Sequence, residues 1–103
     1  MSPILNNIVN TIVKSAAPER IVLFGSRSRR NHRSQSDYDF IVIKKGVKNE
    51  RDVSRRIYKA LFKKKIPQAV DIVVIDSRKL ETHQYDSSLI YSSALKEGKV
   101  LYG

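Results

Sequence analysis

"LFGSRSRRNHRSQSDYDFIVI", residues 23–43, closes one apolar run, breaks at Gly25-Ser26, and re-enters a second apolar run that carries Asp37 and Asp39. The flanks of this stretch decide the fold class. "RIVLFG" (20–25) is short, almost wholly apolar and rich in strand formers, which suits a strand buried on both faces. "DYDFIVI" (37–43) has the same character, so two core strands enclose a polar, arginine-rich connection.

Working outward, Ile4, Leu5, Ile8, Val9, Ile12, Val13 and Ala16 recur at helical spacing, with Pro3 suited to a first turn and Pro18 to a stop. On the other side, Val53, Ile57, Ala60 and Leu61 form the apolar stripe of a second long helix from about Asn49 to Lys65, ended by Pro67. "AVDIVVID" (69–76) reads as a third strand. "SSLIYSSALKEG" (87–98) reads as a last helix carrying Leu89, Ile90, Ala94 and Leu95, with Gly98 as its cap, and "KVLYG" (99–103) adds a short edge strand. With a short helix after Gly25-Ser26, the order is helix, strand, short helix, strand, helix, strand, helix. That order predicts an α/β domain with a small mixed β-sheet and flanking helices. A length of 103 residues predicts one domain with a single modest core.

Twenty Lys and Arg against ten Asp and Glu give a net charge of +10. A balance so basic points to a polyanionic partner: nucleic acid, a nucleotide or an acidic protein. The chain has no cysteine, which excludes disulfides and thiolate metal sites and is compatible with an intracellular setting. The start "MSPILNNIVN" lacks the basic n-region and uninterrupted apolar stretch of a signal peptide, and no run reaches transmembrane length. The expectation is a soluble, cytoplasmic chain with no membrane association.

The two aspartates need a reason. Side chains alternate along a strand, so Asp37 and Asp39 share a face with Cα atoms roughly 7 Å apart, while Tyr38 and Phe40 take the other face. Two carboxylates on one face repel, and a bound cation resolves the conflict; two-metal phosphoryl-transfer sites are one recurring solution. An isolated Asp-x-Asp at a solvated strand end needs no such explanation. What adds weight is Gly25-Ser26, between a strand and a short helix, where backbone N–H groups and a hydroxyl bind phosphate oxygens and glycine admits close approach. The stretch is neither a Walker A loop nor a dinucleotide fingerprint, because "GSRSRR" lacks the Gly-Lys-Ser/Thr of the one and the further glycines of the other. Asp71 opens "DIVVI", and on a neighbouring strand it would complete a cluster with Asp37 and Asp39.

"LFGSRSRR" (23–30), "SDYDFIVI" (36–43), "VDIVVID" (70–76) and the ending "ALKEGKVLYG" (94–103) together resemble the minimal nucleotidyltransferases of the DNA polymerase β superfamily, over nearly the whole chain. The resemblance implies the polymerase β-like nucleotidyltransferase fold and a Mg²⁺-dependent transfer of a nucleotide, AMP foremost, from an NTP such as ATP to a hydroxyl. It implies that Asp37, Asp39 and Asp71 are catalytic and hold two Mg²⁺ ions. It gives Gly25 and Ser26 the β- and γ-phosphates. Arg27 and Arg29, with Arg30 and Arg33 nearby, are placed to neutralise the triphosphate, since guanidinium matches phosphate bidentately. One departure is Arg30, where the family commonly has glycine; it either crowds the nucleotide pocket or adds a phosphate contact. Relatives of this size resemble the antitoxin half of a toxin–antitoxin pair, which adds AMP to a tyrosine of a HEPN-type ribonuclease.

Arg51, Arg55, Lys59 and Lys63 stand at successive four-residue intervals on the second long helix, opposite most of its apolar face. Such a stripe is either a solvated face or a surface for RNA or an acidic partner. His32 and His83 have no second histidine or cysteine at ligand spacing and read as surface residues. Two functions remain open on sequence: a nucleotidyltransferase acting on a partner protein, and a non-catalytic module that binds a partner or RNA stoichiometrically. The acceptor, the base preference and the oligomeric state are not written in any motif.

Overall fold

Ser2 and Pro3 start the first helix. The Ser2 hydroxyl accepts the Leu5 N–H (3.2 Å), and proline occupies a first-turn position whose N–H would have no intrahelical partner. In the computed structural model, which describes residues 2–24, 38–66, 69–81 and 97–103, this helix α1 spans Pro3–Ala16. It ends where Ala17 turns into the left-handed region (φ 47°), immediately before Pro18. β1 (Arg20–Phe24), β2 (Tyr38–Lys44), α2 (Glu50–Lys63), β3 (Val70–Asp76), α3 (Ser77–Glu81) and β4 (Lys99–Tyr102) follow.

The four strands form one mixed sheet in the order β3-β2-β1-β4. β1 pairs antiparallel with both β2 and β4, whereas β2 and β3 run parallel and are joined through α2. Parallel neighbours require such a crossover, because a tight hairpin cannot return the chain in the same direction. α2 begins at Asn49, whose side chain accepts the Arg51 and Asp52 N–H groups, and Glu50 and Asp52 place negative charge in its first turn. Between β2 and α2 the chain turns through Gly46 with φ +73°, a conformation that costs other residues energy.

Strand alternation divides the apolar side chains between two faces. Tyr38, Phe40, Val42, Ile72 and Val74 pack with Ile8, Ile12, Val53, Ile57 and Leu61 into the main core beneath α1 and α2. Val22, Ile41, Ile43 and Ile75 form a second cluster on the opposite face, joined by Phe24 and Val73. Burial on both faces is what the unbroken apolar runs of β1 and β2 require. Among the described residues Phe40 is the largest fully closed side chain, and such a residue contributes roughly 1.5–3 kcal/mol through its burial.

The mixed sheet, both long helices and the edge strand at "KVLY" agree with the expectations from sequence. The short helix expected after Gly25-Ser26 and nearly all of the helix expected over 87–98 lie outside the described residues. α3 is an addition that the apolar pattern gave no reason to expect. It starts because the Asp76 carboxylate accepts the Arg78 N–H (2.9 Å), an aspartate cap at the very end of a strand.

Candidate active site

Asp39 and Asp71 are directly paired across the parallel β2–β3 ladder. Adjacent strands lie about 4.8 Å apart, and residues in register point to the same side, so the two carboxylates occupy one small region of one face. That face is the one carrying Ile41, Val73, Val22 and Phe24, away from the helical layer. Asp39 is half-buried and Asp71 exposed, so the pair sits at the margin of the second cluster with one side open to solvent.

Several contacts fix this position. Phe24, the last residue of β1, is the antiparallel partner of Asp39, so β1 ends beside the carboxylate pair. The Tyr38 N–H donates to the Ala69 carbonyl (2.9 Å), which ties β2, one residue before Asp39, to the approach to β3, two residues before Asp71. On the helical side, the Tyr38 and Phe40 rings stack with centroids 6.2 Å apart, anchoring the two neighbours of Asp39 in the core. The backbone is therefore held by apolar packing from below while the carboxylates project above.

Of the residues singled out in the sequence, Asp39 and Asp71 are brought together. Asp37, Gly25, Ser26, Arg27 and Arg29 lie outside the described residues, as do Arg30, Arg33, His32 and His83. Among the described residues, no three histidine or acidic side chains gather into a metal-sized group. The donor chemistry of the pair nonetheless suits a hard divalent cation, since both groups offer carboxylate oxygens and their mutual repulsion is relieved by positive charge.

A second acidic centre, unremarked in the sequence, stands at the other end of β3. Asp76 is buried, and its carboxylate takes hydrogen bonds from the Arg78 guanidinium (2.8 Å to Nη2) and from the Arg78 and Val47 N–H groups. The Arg78 side chain above all, then its backbone N–H, holds the Asp76 carboxyl far below the usual carboxylate range. The same contact raises the Arg78 pKa. Glu50 accepts the Asp76 N–H (2.9 Å) and pairs with Lys79 (2.7 Å). This network joins the start of α2, the turn after β2 and α3. Its oxygens are engaged by protein donors, so it is built for structure rather than for a ligand. The signal in the sequence is an aspartate at a buried strand end followed two residues later by arginine.

Arg51, Arg55, Lys59 and Lys63 are all exposed, along the side of α2 opposite buried Val53, Ile57 and Leu61. Among the described residues, no helix is long and apolar enough to cross a membrane.

A family model described as polymerase beta, nucleotidyltransferase matches residues 6–103. No curated protein sequence matches the chain. Among solved structures, a putative nucleotidyltransferase from Sulfolobus solfataricus is 26% identical, with a TM-score of 0.57 over 79% of this chain and 71% of that one. A toxin–antitoxin complex, MntA-HpeT, in a mutant form with two aspartates exchanged for glutamate, gives a TM-score of 0.57 at 20% identity, over 94% of this chain and 72% of that one. A toxin–antitoxin structure with AMP-PNP gives 0.56 at 22% identity, over 94% and 72%. At these identities the two toxin–antitoxin likenesses speak for the fold.

Proposed function

This chain belongs to the polymerase β nucleotidyltransferase family, and we propose that it transfers the nucleoside monophosphate of an NTP, specifically AMP from ATP, to a tyrosine hydroxyl of a HEPN-type partner protein. The observation that carries the reading is the in-register pairing of Asp39 with Asp71. Two carboxylates side by side on one sheet face disfavour each other's charge, and a bound cation relieves that repulsion while drawing in a polyphosphate.

The reaction needs the acceptor oxygen to attack the α-phosphorus while the bond from that phosphorus to the bridging oxygen of pyrophosphate breaks. The acceptor proton must leave at the same time. Asp71, exposed at the rim, would help take that proton, and half-buried Asp39 would supply the negative charge against which the site is organised. Asp39 and Asp71, with Asp37, would hold Mg²⁺, two ions in all. Bound Mg²⁺ supplies neutralisation of the triphosphate and orientation of leaving group and acceptor. Gly25 and Ser26 are assigned the β- and γ-phosphates, and Arg27 and Arg29 the remaining phosphate charge. Most of the rate then comes from positioning and electrostatics, since the protein forms no covalent bond to the nucleotide.

The partner assignment draws on the toxin–antitoxin neighbours, and the adenine nucleotide on the neighbour with AMP-PNP. The test is incubation of the protein, Mg²⁺ and ATP labelled at either the α or the γ phosphate with an extract of the source cells. Wild-type protein should move α label but not γ label onto a protein band, and the bond should be stable as a tyrosyl phosphodiester is. Transfer of γ label, or full transfer of α label by folded Asp39→Asn, would overturn the proposal.

A further inference from the structure

The outer side of α2 presents four cationic side chains, Arg51, Arg55, Lys59 and Lys63, one helical turn apart. Phe62 stands in the same face. It follows Lys59 by three residues and Arg55 by seven, offsets that return a side chain to the same side of a helix. At 85% exposure it is the most open large apolar side chain among the described residues. Neither feature helps the fold. Like charges at four-residue spacing destabilise a helix by a few tenths of a kcal/mol per pair, and a phenylalanine in water contributes no burial. Phe62 also borders a depression of about 400 Å³ that it shares with Lys63, Lys65 and Ile66, so the space beside the ring is lined by two lysine side chains.

We propose that the outer face of α2 binds single-stranded RNA, with Arg51, Arg55 and Lys59 on successive phosphates and one base stacked on Phe62 beside Lys63 and Lys65. Four residues of helix rise about 6 Å, comparable with the step between consecutive phosphates of an extended single strand. Duplexes are disfavoured because their bases are already stacked and offer the ring no face, whereas RNA loops and ends expose unstacked bases. A protein partner fits this face less well: one exposed phenylalanine among four cationic side chains offers little apolar core, and the cores of protein interfaces are depleted of charge. The inference is independent of nucleotidyl transfer, since it involves neither Asp39 nor Asp71.

The probe is a fluorescent 12-nucleotide oligo(A) RNA, titrated with the full chain at several salt concentrations and read by anisotropy. Wild type and Asp39→Asn should bind alike, with a salt slope that falls by about 0.7 for each cationic side chain removed by Arg55→Ala and Lys59→Ala. Phe62→Ala should weaken binding about tenfold with its salt slope unchanged, because a stacked base and not an ionic contact is lost. Arg55, Lys59 and Phe62 are exposed, and alanine favours helix, so the alanine variants retain the fold, to be verified by circular dichroism together with Asp39→Asn. Equal affinity of Phe62→Ala and wild type, equal affinity for an RNA duplex of the same length, or equally effective displacement of the RNA by polyglutamate would overturn the proposal, the last in favour of an acidic protein partner.

Discussion

The Tyr58 hydroxyl accepts a hydrogen bond from the Ile72 N–H at 2.8 Å, linking α2 to the outer edge of β3 one residue beyond Asp71. Glu50 makes the equivalent contact to the Asp76 N–H. The two contacts are in phase: eight residues of helix and four of strand both advance roughly 12–13 Å. α2 thus supplies acceptors to alternate outward-facing N–H groups of an edge strand, which closes part of an edge that would otherwise recruit other strands.

Removing the Tyr58 hydroxyl tests what this contact does for the site. Tyr58→Phe keeps the ring and leaves the Ile72 N–H to water, so the expected loss of stability is about 1 kcal/mol, read from chemical denaturation. Nucleotidyl transfer should fall several-fold without disappearing, because Asp71 keeps its carboxylate but its strand is less firmly held. An unchanged rate in the destabilised variant would show that the contact serves the fold alone.

The Asp39–Asp71 pair makes the opposite kind of prediction. Replacing Asp71 with asparagine removes a like-charge neighbour of Asp39, and directly opposed like charges on adjacent strands cost a few tenths to about 1 kcal/mol. Asp71→Asn should therefore melt at the same temperature as wild type or slightly higher while losing transfer. A marked fall in melting temperature would instead identify the Asp71 carboxylate as a structural group.

Acid should unfold this protein partly through Asp76. Its carboxyl pKa is lowered in the folded state, so its contribution is fully present above the ordinary aspartate value near 3.9 and is lost as pH falls through the lower folded value. Asp76→Asn should be less stable than wild type at pH 7, and the gap should narrow as pH falls below about 4. A gap that stays constant down to pH 2 would refute the assignment.

Much of the architecture was legible because its signals are local. Unbroken apolar runs at 21–24 and 40–43 demanded two-faced burial, the 3.6-residue stripe from Val53 to Leu61 demanded a helix, and Asp39 and Asp71 could be paired once their strands were adjacent. Strand order was not legible, because nothing in "RIVLF" states that it lies between β2 and β4. The Asp76 network escaped notice for a related reason. An aspartate at the end of an apolar run looks the same whether it meets water or is closed in by Val47, Arg78 and Glu50 arriving from elsewhere in the chain. Phe62 likewise fits a helix in sequence, and its isolation from the core emerges only when the face opposite Val53, Ile57 and Leu61 is known.

Glu50 and Lys79 allow a last test, of whether the ion pair or the strand-edge hydrogen bond matters more. The pair is partly solvated, with side-chain exposures of 32% for Glu50 and 47% for Lys79, so its net contribution should lie near the 0.2–1 kcal/mol of surface ion pairs. Glu50 also accepts the Asp76 N–H, a contact that Lys79 does not share. Glu50→Ala should consequently cost about 1 kcal/mol more than Lys79→Ala. Glu50→Gln, which retains an oxygen acceptor but no charge, should cost less than Glu50→Ala. In high salt the cost of Lys79→Ala should shrink while most of the cost of Glu50→Ala persists, because screening weakens the ion pair more than a backbone hydrogen bond. Equal costs for the two alanine variants at both salt concentrations would assign the whole effect to the ion pair and leave the edge contact without energetic weight.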